Sequence, residues 1–295
     1  MAYVNTSVGT ADTDADMLVP ELWAKSVFGY IQKKMVLSNL VDTSFSSLVK
    51  EKGDVIHIPK VSAESATTTT PVALSGATEN ITYTSPNDGE VQLSINKLSY
   101  VAKIISDIAK IQASPELLNA YTKNMGYAIA GAIEDFVHTT ISGASGASNL
   151  DLGTANTFAD SDLSAIVSKI GDLGLDAKGM VFALHPYHYG KLYALDEFTS
   201  RDYRSDAPVQ SGIAGTLLGM PVVVSNEFGT GTPSADAVVG ALWHPENVKL
   251  AYQQTPKVVS QYSVDFLGNK VAVWSAYGGA VLNGNQVILI NEPAS

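Results

Sequence analysis

The 295-residue chain predicts an α+β fold from three features of its pattern. A stripe of apolar residues at helical spacing runs through 115–141. Short helices and apolar strands fill 160–270, and two alternating segments near 55–59 and 91–101 flank a Thr-, Ser- and Pro-rich excursion. At 45% hydrophobic residues, the chain can bury one large core or two ordinary ones.

Residues 1–20 are polar and rich in Thr and Asp, which predicts an extended arm. Pro20 suits a first helical position, and Leu22, Trp23, Phe28, Ile31 and Met35 share a face, so a short helix is expected there. In GDVIHIPKV, Val55, His57 and Pro59 alternate with Ile56 and Ile58. That is a half-buried strand, which Pro59 confines to an edge. The excursion Ser65–Glu90 contains no cation and is dense in β-branched residues from Thr67 to Thr84. An isolated two-stranded ribbon is marginal in water, so this excursion is expected as a long hairpin resting on a neighbouring copy of the chain.

Val91, Leu93, Ile95 and Val101 continue as strand. Ser114, Pro115 and Glu116 are the cap, first position and first-turn acid of a helix whose stripe is Leu118, Tyr121, Met125, Ile129, Ala132 and Phe136. Gly126 and Gly131 suggest close backbone packing within it, and SGASGASNLDLGTANTF ends it as a loop. From 160 the chain reads as a capped helix, a buried strand GMVFALHP, a short helix entered through Pro186, then GTLLGMPVVVSN, SADAVVGALWHPENVKLAY and a strand-rich C-terminus.

Composition excludes several function classes. The net charge is -11, with 18 Lys plus Arg against 29 Asp plus Glu, and only Arg201 and Arg204 are arginines, so direct nucleic-acid binding through a basic cluster is not expected. Without cysteine there is no disulfide, thiolate metal site or cysteine nucleophile. The N-terminus lacks the basic and apolar regions of a signal peptide, and no apolar run approaches the ~18 residues of a membrane span. The chain reads as soluble and intracellular.

No catalytic, cofactor-binding or metal-binding residue is nominated. His185, His188 and His244 are the material for an open zinc site and a metal-dependent hydrolase, but each His-Pro pair follows an apolar run and reads as a turn. His57 and His138 read as packing or surface residues. Asp12–Asp16 copies the first acids of a calcium loop, but Met17 and Trp23 stand where Gly and Glu are required. SGASGAS has Ala147 where a nucleophile elbow needs Gly, and the glycines at 212, 215, 229 and 231 complete no phosphate-binding fingerprint. Glu134-Asp135 and Asp196-Glu197 are adjacent pairs that diverge on a helix.

GTLLGMPVVVSNEF, with Gly215, Leu218, Gly219, Pro221, Val222–Val224, Ser225 and Asn226, resembles the LLGxPVVVS segment of the major capsid proteins of tailed bacteriophages of the Hong Kong 97 type. MVFALHPYHYGKLYALDEF resembles the strand, His-Pro and helix that precede it in that family. GDVIHIPKV and the stretch from Leu93 to Val137 resemble its extended-loop base and spine helix. Encapsulin shells share this fold and are the alternative reading.

The resemblance implies an N-terminal arm with a short helix over 1–50, an extended loop over 51–97 and a peripheral domain over 98–159 carrying a spine helix at about 115–141. It further implies an axial domain with a small mixed sheet over 160–270, and strands over 271–295 returning to the peripheral domain. It implies a virion capsid of hexamers and pentamers enclosing double-stranded DNA, assembled in the host cytoplasm with a portal protein and a possible decoration protein. Members that carry their own scaffold have a long charged N-terminal extension. Met1 here begins almost at the arm, so either a separate scaffolding protein or a numbering that starts after a cleavage is expected. Some members crosslink through Lys and Asn; Lys60 and Lys97 flank the loop, but neither is assigned to a crosslink.

Overall fold

The computed structural model describes residues 36–49, 55–60, 89–106, 115–153, 158–192, 216–217, 219–229 and 238–292, with side chains in the long helix from residue 123 onward. The expected helix after Pro20, the Asp12–Asp16 run and the Ser65–Asp88 part of the excursion lie outside the described residues. The helices are α1 (Ser46–Val49), α2 (Pro115–Ser142), α3 (Asp160–Asp172) and α4 (Pro186–Leu192). The strands are β1 (Val55–Lys60), β2 (Gly89–Ser94), β3 (Lys97–Ser106), β4 (Ser148–Asp151), β5 (Val181–Leu184), β6 (Thr216–Leu217), β7 (Met220–Val224), β8 (Val238–Trp243), β9 (Val248–Ser263), β10 (Gly268–Val281) and β11 (Ile288–Asn291).

These strands make three sheets: β1-β2, β3-β10-β9, and the six-stranded β4-β11-β8-β5-β7-β6. At 1.5 Å per residue, α2 is about 42 Å long. It packs on one face of the three-stranded sheet. Met125, Ile129, Ile133, Val137 and Ile141 of the helix share a core cluster with Val258, Val271, Val273 and Tyr277 of the sheet. Alternation in the strands supplies the sheet's half of this contact, because residues two apart share a face.

The buried helix face is broader than the expected stripe. Ile133 and Val137 are buried, whereas Ala132 and Phe136 are only partly so. Phe136 instead meets the ring of Tyr277 edge-on, with centroids 5.2 Å apart. Close backbone packing at Gly131 is not found, since a Cβ added there meets nothing within 4 Å.

The six-stranded sheet is mixed. β4 pairs parallel with β11 and β5 parallel with β7, while β8 is antiparallel to both β5 and β11. β5 is buried at all four residues, as its unbroken apolar run requires when both faces are covered. Leu217 pairs with Met220 across a two-residue turn whose second residue is Gly219 at φ +83°, a region open to glycine. Pro221 is exposed and Val222 buried.

One sequence expectation is corrected here. The segment after α2 is not all loop, since Ser148–Asp151 forms a strand on the edge of β11. With β11 it extends the six-stranded sheet beyond β8. β9 and β10 instead form the three-stranded sheet with β3, and β10 lies between the other two.

Candidate assembly interfaces

β1 and β2 are the base of the excursion. They pair in register from Val55↔Ser94 to Lys60↔Gly89, so the 28 residues 61–88 leave from adjacent strand ends. Ile56 and Ile58 of this ribbon pack with Phe45, Ile95 and Ala280 around buried Val49, Leu93 and Ala251. Leu93 is fully buried, which contributes about 1.5–3 kcal/mol to holding the ribbon in place. Behind it Gly278 lies so close to β2 that a Cβ would meet the Ser94 carbonyl oxygen at 2.0 Å. Lys60 Nζ donates to Asn283 Oδ1 at 3.3 Å, across a cleft of about 340 Å³ that Ile58, Val91, Glu246 and Leu282 also line. His57 and Glu90 face each other on the exposed side of the ribbon at 3.0 Å.

A second structure fixes residues 36–49, where the N-terminal 35 residues join the body. Glu134 of α2 is 5% exposed, and its carboxylate accepts four hydrogen bonds. They come from the backbone N–H groups of Val36 (2.8 Å), Leu37 (2.8 Å) and Ser38 (3.2 Å) and from Ser38 Oγ (2.7 Å). These N–H groups open the 3₁₀ turn Leu37–Leu40, so a carboxylate fills the anion site that unpaired helix-start N–H groups create. Trp243 Nε1 donates to the Leu40 carbonyl, and Lys249 is paired with Asp42. Burial pushes the Asp42 carboxyl up, but hydrogen bonds from Lys249 and Ser44 outweigh it and leave Asp42 below the ordinary carboxylate value. Sequence reading treated Glu134 as half of a diverging acidic pair. Its isolation on the apolar side of α2, next to Ile133, was the available signal.

A third feature is the outer face of the three-stranded sheet, opposite α2. Leu98 (63% exposed), Tyr100 (69%) and Ile104 (54%) of β3 stand on it. By register they adjoin Ala276, Trp274 and Lys270 of β10, and Gln254, Lys257 and Gln261 of β9. At the end of the β9-β10 hairpin, Val264, Phe266 and Leu267 are exposed, with Lys270 Nζ 4.7 Å over the Phe266 ring.

The three candidate metal histidines are not brought together. His185 and His244 follow the ends of β5 and β8, which are antiparallel with Val181↔Trp243 and Leu184↔Gly240. They therefore lie beyond opposite ends of a four-residue ladder, five residue steps or about 17 Å apart along the strands. Each accepts a backbone N–H through Nδ1, His185 from Tyr187 and His244 from Glu246, so each starts a new element. His188, in α4, is fully buried, edge-on to Phe158 and Tyr187 and 3.6 Å from Glu292. Burial, with His185 and Lys191 nearby, lowers its pKa to about 4, so it is neutral at pH 7 and the Glu292 contact is not an ion pair there. His138 packs edge-on against Phe228, and burial lowers its pKa. Among the described residues no group of three His, Cys, Asp or Glu is placed to hold a metal, and no helix is long and apolar enough to cross a membrane.

A family described as phage capsid protein matches residues 102–288, more than half of the chain. The chain belongs to this phage capsid protein family. Solved structures agree on the fold. A structure from Mycobacterium phage Che8 has a TM-score of 0.70 at 22% identity, covering 87% of this chain and 90% of that one. The capsid of the cyanophage P-SCSP1u has a TM-score of 0.69 at 16% identity, covering 88% and 89%. A virus-like particle from Pyrococcus furiosus has a TM-score of 0.60 at 10% identity, covering 92% and 98%. No curated protein matches the chain. The α+β capsid fold is thus of the Hong Kong 97 type, and membership of the capsid family gives the chain a structural role in a shell.

Proposed function

We propose that this capsid protein is the major head protein of a tailed double-stranded DNA bacteriophage. Many copies would form hexamers and pentamers of an icosahedral shell around the genome, without a catalytic residue. The observation that carries this reading is the anchored ribbon. A family member presents, from the register-locked pair β1-β2, 28 residues too polar to build a core of their own. Binding to a neighbouring copy supplies their order in trans. Closed shells need only repeated interfaces related by symmetry, which suits a chain whose constructed features are an anchored ribbon, a tied arm root and an open sheet face.

The net charge of -11 supports DNA as contents that the wall does not grip, because like-signed walls leave a packaged polyanion free to move. A separate scaffolding protein, a portal protein and assembly in the host cytoplasm belong to the same proposal. So does the division into arm, loop, peripheral and axial regions. Deleting residues 66–86 tests it: a folded subunit that no longer forms shells is expected, and normal shells from the deletion would refute the role given to the loop. Nuclease-protected DNA inside purified particles supports the phage reading, whereas protein cargo without DNA supports a compartment shell.

A further inference from the structure

We infer that α4 is a proton-operated flap: protonation of His188 unseats this short helix while the six-stranded sheet and α3 stay folded. The device belongs to the single subunit and goes beyond the shell reading. Of the seven residues of α4 only His188 and Leu192 are buried. Leu192 and half-buried Tyr189 pack into the cluster that holds Phe158, Phe182 and Leu184. Gly190 stands inside the helix, and a Cβ added there meets nothing within 4 Å, so it weakens α4 with no packing in return. The helix is held by little more than one leucine and one imidazole.

That imidazole differs from the other four of the chain. His57 meets Glu90, His138 meets Ser142, and His185 and His244 each accept a backbone N–H. Both ring nitrogens of His188 are buried without a hydrogen-bond partner, between the rings of Phe158 and Tyr187. Neutral, the ring packs as an aromatic; protonated, it becomes a cation with two N–H donors in an apolar seat. On α4 itself, His185 and Lys191 add charge of the same sign, and Lys191 lies 5.2 Å over the Tyr187 ring. From the end of β11, Glu292 faces the ring at 3.6 Å, outside hydrogen-bond distance, and burial outweighs its attraction. Swinging out one lightly held helix hydrates the cation at far less cost than opening the sheet. Burial holds the pKa of the seated ring at about 4 against 6.5 in water, so the opening equilibrium rises about twentyfold between pH 7 and pH 5.

The chain has no cysteine, so a single engineered thiol reports exposure cleanly. Leu192→Cys, buried under α4, is compared with Ile166→Cys, buried under α3 in the same cluster. Each is labelled with 4,4′-dithiodipyridine, which reacts in acid, and rates are corrected for the reagent's reaction with a free thiol at each pH. Labelling of Leu192→Cys is expected to rise about twentyfold from pH 7 to pH 5, that of Ile166→Cys less than about threefold. Adding His188→Phe, a ring that takes no proton, should cancel the rise. Equal rises at both thiols, no rise, or a rise that survives His188→Phe would overturn the flap. If Leu192→Cys does not fold, amide hydrogen exchange of the wild-type and His188→Phe proteins decides, corrected for intrinsic rates. Acid-enhanced exchange in residues 186–192 that is absent from 160–172 and lost in His188→Phe supports the flap. Enhancement shared by both helices, absent from 186–192, or unchanged by His188→Phe overturns it. Each of these results leaves the shell reading untouched.

Discussion

Replacing Glu134 with Gln isolates the joint at the root of the arm. The substitution keeps side-chain length and helix propensity, so α2 itself is not weakened. It replaces one carboxylate oxygen with an NH₂ group, and four donors from Val36, Leu37 and Ser38 then compete for a single neutral acceptor. At least one hydrogen bond to a charged acceptor is lost, for about 1.5–3 kcal/mol, and the others lose their charge assistance. The expected cost is about 2–4 kcal/mol, a large part of the stability of an ordinary domain. Urea unfolding of the purified protein reads it as a lower midpoint at unchanged slope. Limited proteolysis should cut within residues 36–49 first. Ser38→Ala, which deletes only the hydroxyl bond, should cost about 1 kcal/mol. A Glu134→Gln protein within about 0.5 kcal/mol of wild type and with an unchanged cleavage pattern would refute the argument that this carboxylate holds the arm root.

Two glycines should respond in opposite directions. Gly131→Ala, in open space on α2, should stabilise by about 0.5–1 kcal/mol, whereas Gly278→Ala drives a methyl into the Ser94 carbonyl and should destabilise by more than about 2 kcal/mol, both read by thermal unfolding. His188 makes stability depend on pH. Its folded pKa of about 4 lies below the ordinary 6.5, so the unfolded chain binds the extra proton, and stability present above pH 6.5 is lost as pH falls towards 4. The loss is on the order of 3 kcal/mol, and the fall in melting temperature between pH 7 and 4.5 should shrink in His188→Gln. Asp42 acts in the same direction at lower pH: its depressed carboxyl contributes stability that is lost as pH falls below the ordinary carboxylate range, and Asp42→Asn should remove that component.

What the sequence revealed followed the strength of local pattern. α2 was legible because Met125, Ile129 and their neighbours repeat at helical spacing for many turns, and β5 because Val181–Leu184 is an unbroken apolar run before a His-Pro turn. β4 was not, because SNLD has weak strand propensity and exists by borrowing the edge of β11, 140 residues away. The sheet that holds β9 and β10 was not legible for the same reason: the pairing of β10 with β3 is a long-range choice that alternation cannot specify. His185 and His244 were legible as turn residues, since His-Pro carries its own local geometry. Glu134 and the outer face of β3 were missed because each takes its meaning from what stands opposite, and a linear pattern contains only spacing.

The central claim is that this chain builds a closed shell. Negative-stain electron microscopy of the purified protein, with light scattering for mass, tests it directly, with the candidate scaffolding protein added where the protein alone stays small. Uniform hollow particles, or rings of five and six subunits, are the predicted result. A small monodisperse species that persists with scaffold present would contradict the account.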